Sequence, residues 1–170
     1  QTDLRPFKQS FTSFDWCSNL YREVAFPIDG PVEYRMRSDD YGNERTSFAA
    51  RSQSYPPAQL PLVLRGLDFT SSDTLSFSVT VAADTAYVPA RAVLAGVDSI
   101  ETEAGPYEAE RIVVTYDSPV PSLIGEESAT TETYWCSTGS ERLLLRLEAA
   151  SGRYRMELVE HLRTAYWQEN

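Results

Sequence analysis

The stretch Thr74-Leu75-Ser76-Phe77-Ser78-Val79-Thr80-Val81-Ala82 alternates apolar and small polar residues with a period of two. Leu75, Phe77, Val79 and Val81 face one way and Ser76, Ser78 and Thr80 the other, the pattern of a half-buried strand. The same rhythm extends in both directions. Upstream, Val32, Tyr34 and Met36 alternate with Glu33, Arg35 and Arg37, and the polar run Ser38 to Asn43 separates them from a second extended segment, Glu44 to Ala50, which makes a hairpin. Downstream, Ala86 to Glu103 and Tyr107 to Tyr116 flank the turn Ala104-Gly105-Pro106. Thr130 to Ser137, Arg142 to Glu148 and Arg153 to Leu162 are separated by Thr138-Gly139-Ser140 and Ala150-Ser151-Gly152, which reads as a three-stranded meander. Within it, Leu143, Leu145 and Leu147 share one face with Tyr154, Met156 and Leu158, leaving the arginines on a wet face. Phe7 to Phe14 and Leu20 to Phe26 are strands near the start.

Only residues 57 to 67 break the period. Leu60, Val63, Leu64 and Leu67 fall at i, i+3, i+4 and i+7, so a short helix is expected, with Pro57 or Pro61 in its first turn. The expected fold is mainly β: a single curved antiparallel sheet or open barrel of about nine or ten strands, with this one helix on its apolar side. One β-rich domain would span residues 1–170, with extended tails at 1–6 and 164–170.

The 170 residues, 42% hydrophobic and 24% charged, suit one folded domain rather than a disordered chain. Acids outnumber bases by 25 to 15, a net charge of −10, which argues against nucleic acid as partner. Fourteen of the bases are Arg and one is Lys8, a composition suited to Arg–carboxylate pairing across a solvated sheet face. The longest apolar stretch, Leu60 to Leu64, is far below the roughly 20 residues needed to span a bilayer, so no transmembrane segment of its own is expected. A start at Gln1 is compatible with a removed export signal or with a trimmed chain. Cys17 and Cys136, 119 positions apart and outside any CxxC pattern, are either a disulfide or two buried thiols.

Chemistry is sparse. His161 is the single histidine and lies on the Arg153, Arg155 and Glu157 side of the last strand, so no metal site or Ser/His/Asp triad is expected. Asp39, Asp40, Asn43 and Glu44 have oxygen ligands but not the order of a calcium loop. Carboxylate pairs at Asp39/Asp40, Glu101/Glu103, Glu108/Glu110 and Glu126/Glu127 leave a carboxylate-based hydrolase as a minor alternative; a recess where acids converge with His161 would count for it. Nucleotide loops are missing and no cofactor is implied. Phe7, Phe11, Trp16, Tyr166 and Trp167 are aromatics near the ends, where they are placed to dock a protein partner.

The segments Leu60-Pro61-Leu62-Val63-Leu64-Arg65-Gly66-Leu67-Asp68-Phe69, Val88-Pro89-Ala90-Arg91, Thr102-Glu103-Ala104-Gly105-Pro106-Tyr107 and Thr133-Tyr134-Trp135 resemble an uncharacterised bacterial envelope family, over about residues 57 to 162. That family is similar in fold to the LolA/LolB lipoprotein carriers. The resemblance implies a periplasmic or otherwise exported, peripheral protein and transfers no catalytic residue. The expected function is a non-enzymatic scaffold or interaction domain, an extrinsic subunit docked on a larger envelope or membrane-protein assembly. The alternative is a carrier or sensor for an acyl chain or lipidated protein, with Leu60, Val63, Leu64, Leu67, Phe77, Val79, Leu143 and Leu145 lining an apolar concavity.

Overall fold

The computed structural model describes residues 6–14, 19–67, 69, 72–81, 84, 86–121 and 128–161. Among the described residues eleven strands form two sheets, accompanied by one short α-helix, rather than the single sheet or barrel expected from the alternation. Strands β1 (Lys8–Phe14), β2 (Asn19–Ala25), β3 (Val32–Ser38) and β4 (Gly42–Phe48) form a four-stranded antiparallel meander in chain order. The turn between β3 and β4 closes because the Ser38 hydroxyl accepts the N–H groups of Asp40 and Tyr41 at 3.2 and 3.1 Å, and Gly42 takes a φ of +75°.

The larger sheet holds seven strands in the order β11-β10-β9-β8-β7-β6-β5. These are β5 (Ser54–Tyr55), β6 (Thr74–Val81), β7 (Ala86–Thr102), β8 (Gly105–Pro121), β9 (Ser128–Ser137), β10 (Leu144–Ala149) and β11 (Arg155–Glu157). Every pairing is antiparallel except β5 with β6, and a parallel pair requires a crossover. The expected helix supplies it. A 3-10 turn at Pro57–Gln59 leads into α1 (Leu60–Gly66), where Pro61 sits in the first turn and its missing N–H is not needed. Leu60, Val63 and Leu64 are buried and Leu62 points to water, as the i, i+3, i+4 spacing requires.

The core lies between α1 and one face of the larger sheet. Val79 and Val81 of β6, Val88, Ala90 and Ala92 of β7, Ile112, Val114 and Tyr116 of β8, Tyr134 and Cys136 of β9 and Leu147 of β10 form it with Leu60 and Leu64. Arg142, at φ 45°, donates to the Leu67 carbonyl at 2.9 Å and pairs with Glu110, and Arg65 donates to the Glu141 carbonyl at 2.6 Å. Both arginines fasten the helix to the end of the sheet. On the other face, Ser54 and Thr80 satisfy each other's buried hydroxyls at 2.6 Å.

Two irregularities make the sheet bury both of its faces. The β7–β8 register shifts at Gly96, whose φ is +135°, and the β10–β9 register shifts between Leu144 and Arg146. An inserted residue inverts the in/out sense of everything beyond it. Ile100, Ala109 and Leu145 consequently form a separate cluster with Tyr107, Trp135, Leu143 and Leu158 on the face opposite α1. This corrects the sequence expectation at two points: Leu145 and Leu147 lie on opposite faces, and the face expected to be wet is partly apolar and covered. Gly96→Ala is expected to cost about 1–2 kcal/mol in a urea titration, because a side chain is strained at that φ although no atom would block its Cβ closely. An unchanged midpoint would mean the bulge is absent.

The two sheets meet where β4 ends. The Phe48 and Tyr87 rings pack edge to face at 5.5 Å, the Tyr87 hydroxyl donates to the Ala49 carbonyl at 2.6 Å, and the Arg51 guanidinium lies 5.1 Å above the Tyr87 ring.

Candidate functional site

The register of the four-stranded sheet sorts its side chains into two unlike faces. Opposed residues share a face, so Gln9, Val24, Tyr34 and Thr46 stand together, as do Phe11, Arg22, Met36 and Glu44. Phe7 joins this face because its carbonyl accepts the Phe26 N–H at 2.8 Å, which continues the β1–β2 register. The opposite face is polar: Lys8 pairs with Glu23 at 2.5 Å, Tyr21 donates to Glu23, and Glu33 holds Arg35 and Arg45 at 2.9 and 3.6 Å. The Glu23 carboxyl is held below its ordinary pKa, chiefly by Lys8 and then by Tyr21.

The apolar face grades from closed to open. Val24, Phe26, Val32 and Tyr34 are buried with Met36 and Phe48 against them, whereas at the β1 margin Phe7 is 79% and Phe11 53% exposed. Two aromatic rings thus stand in water at the β1 margin, Phe7 beside the apolar Phe26 row and Phe11 in a row that also carries Arg22 and Glu44. Of the aromatics expected to dock a partner, Phe7 and Phe11 share this margin; Trp16, Tyr166 and Trp167 lie outside the described residues.

The residues expected to line a concavity do not share one. Leu60, Val63, Leu64 and Val79 are 0–2% exposed, and Leu67 and Phe77 pack against the main core. Leu143 and Leu145 belong to the cluster on the other face. Cys136 is a free, buried thiol of the main core, and Cys17 lies outside the described residues. Burial pushes the Cys136 thiol up to about 11, with Arg142 opposing and Glu110 adding to the effect.

A buried polar cluster escaped the sequence reading. Glu132, 4% exposed, takes an inward position on β9 beside Tyr134. Its Oε2 accepts the hydroxyls of Tyr134, at 2.6 Å, and of Tyr116, and its Oε1 accepts that of Tyr154. Burial first, then the neighbouring carboxylate, drives the Tyr116 phenol far above its ordinary value; burial, then Tyr116 and Glu132, does the same to Tyr134. The available signal was parity: Glu132, Tyr134 and Cys136 alternate on one strand, so an acid occupies a core position.

A surface recess of about 540 Å³ is lined by Tyr107, Glu108, Ser137, Glu141, Leu143 and His161, among others. It holds two acids, Glu108 and Glu141, together with the single histidine. His161, placed on an open strand face by the sequence, pairs with Glu141 at 3.4 Å at its rim. Glu108 and Glu141 are exposed, and the Ser137 hydroxyl is engaged by the Leu143 N–H at 2.9 Å. Among the described residues no group of three or more His, Cys, Asp and Glu side chains is arranged to hold a metal ion, the Asp39–Glu44 turn included. There, Asp39 accepts the Asn19 amide at 2.8 Å. No helix among the described residues is long and apolar enough to cross a membrane.

A mainly β, two-sheet protein with an aromatic-edged apolar face is the class these observations define. Comparison with family models, with curated proteins and with solved structures found no match to this chain.

Proposed function

We propose that this chain is a non-enzymatic interaction domain that docks a protein partner through the apolar face of the four-stranded sheet, as an extrinsic subunit of a larger envelope assembly. The observation that carries the reading is the exposure of Phe7 and Phe11 at the β1 margin of a face whose centre, at Val24, Phe26, Val32 and Tyr34, is buried. Exposed aromatic rings on an apolar surface are the usual material of interface hot spots. The filled interior beneath α1 supports contact over carriage of an acyl chain, because Leu60, Leu64 and Val79 leave little of themselves accessible. The envelope resemblance over residues 57 to 162 supports an exported, peripheral setting.

The test is co-purification from the native source of the wild type, of the Phe7→Glu/Phe11→Glu variant and of Arg35→Ser on the polar face. A partner of defined stoichiometry should be retained by wild type and Arg35→Ser and lost from the double variant, with the far-UV CD spectrum unchanged. Retention by all three, or by none, overturns the proposal.

The recess favours a second reading, a carboxylate-based hydrolase using Glu108 or Glu141 with His161 at the rim. Turnover of ester or glycoside substrates that disappears in Glu108→Gln or Glu141→Gln would establish it, and turnover unaffected by either would dismiss it.

A further inference from the structure

We propose that β1 also pairs edge to edge with β1 of a second copy of this chain, an inference that rests on the docking role of the same sheet. Among the described residues β1 is one of the two outer strands of its sheet, the other being β4, which carries Glu44 and Arg45. The Phe26 N–H bonds to the Phe7 carbonyl, so the odd residues of β1 turn their backbone groups toward β2. By the alternation of antiparallel ladders, Lys8, Ser10, Thr12 and Phe14 turn theirs outward. Pro6, next in that outward series, has no N–H and ends the pairing edge.

An antiparallel copy overlaps all seven residues in one register, with Lys8 opposite Phe14 and Ser10 opposite Thr12 of the partner strand. Those pairs are the hydrogen-bonded ones. Phe11 then meets its own copy at the two-fold axis in a non-hydrogen-bonded pair, where opposed side chains are closest. The ring that is half exposed in one chain becomes a cross-strand aromatic pair, and Phe7 lies on the same continuous face.

A second copy is the occupant because the strand is self-complementary in this register and charge does not oppose it there. A chain of net charge −10 repels its own kind over most of its surface, but β1 carries no acid. Its one charge, Lys8, already pairs with Glu23 and opposes an uncharged residue in this register. The strand also lacks the internal proline, bulge or central charge that natural edges use against self-pairing.

Sedimentation velocity from ~5 to ~500 µM tests the pairing, a range suited to a small interface. The wild type should move from monomer toward dimer. Thr12→Pro removes an outward N–H without touching the β1–β2 ladder and should weaken association at least ~10-fold, as should Phe11→Glu. In a Cys17→Ser background, Phe11→Cys should form an intermolecular disulfide on mild oxidation, which reports the register in folded protein even if a proline variant misfolds. A wild type that stays monomeric throughout overturns the inference, as does a dimer indifferent to Thr12→Pro and Phe11→Glu. Either result leaves the docking proposal standing if the Phe7→Glu/Phe11→Glu variant still loses its partner; loss of dimer with the partner retained removes the docking proposal alone.

Discussion

Replacing Glu132 with alanine is expected to lower the unfolding free energy by about 3–6 kcal/mol, a large part of the stability typical of a domain. Three phenols lose one acceptor at once. Tyr116 and Tyr134 are 4% and 0% exposed, so water cannot replace the carboxylate without opening the core. Each orphaned buried hydroxyl costs about 1–3 kcal/mol, and the missing side chain leaves a void. Glu132→Gln keeps the volume and one acceptor oxygen, so it should lose less. Glu132→Leu combined with Tyr116→Phe, Tyr134→Phe and Tyr154→Phe should be more stable than Glu132→Leu alone, because removing donors together with their acceptor leaves nothing unpaired. Urea titration of the series gives this order. A Glu132→Ala variant within about 1 kcal/mol of wild type would mean that the phenols do not converge on this carboxylate.

Raising the pH above 9 should destabilise the protein progressively, by several kcal/mol by pH 11.5. The sign follows from the direction of the shifts. Cys136 rises from 9.0 to about 11, and Tyr116 and Tyr134 rise well above 10.0, so folding holds all three in their protonated forms. Their stabilisation is fully present below the unfolded-state values. It fades through pH 9 to 11 for the thiol and from pH 10 upward for the phenols, at roughly 1.4 kcal/mol per group and pH unit. Urea midpoints at pH 8, 10 and 11.5 measure the loss, and the near-ultraviolet absorbance of phenolate should rise for Tyr116 and Tyr134 only as the protein unfolds. Cys136→Ser should flatten the first part of the curve. Stability that is level to pH 11 would contradict the burial of this cluster.

How far the sequence reached can be judged strand by strand. The turn expected at Ala104-Gly105-Pro106 tightens to Glu103-Ala104, with Gly105 and Pro106 already paired in β8, whereas the 75–81 alternation and the helix through Leu60, Val63 and Leu64 stand where local pattern placed them. Leu145 does not. Its face depends on a bulge whose only mark in the chain is an extra leucine in Leu143-Leu144-Leu145, and three leucines fit either parity. Phe7 and Phe11 were legible as strand aromatics near the chain start, but their exposure depends on which hairpin lies beside them. His161 was read from strand parity alone, whereas β11 ends at Glu157 and the chain beyond it turns toward Glu141.

By itself the chain determined most of its strands, the helix through Leu60 and Leu64, its acidity and the lack of nucleotide or histidine-rich metal motifs, because each depends on neighbours a few residues apart. The tertiary structure alone decided that there are two sheets, that three tyrosines meet at Glu132, and that the aromatic margin of β1 stays open. Those outcomes turn on pairings between residues up to tens of positions apart, where a single bulge reverses every side chain beyond it.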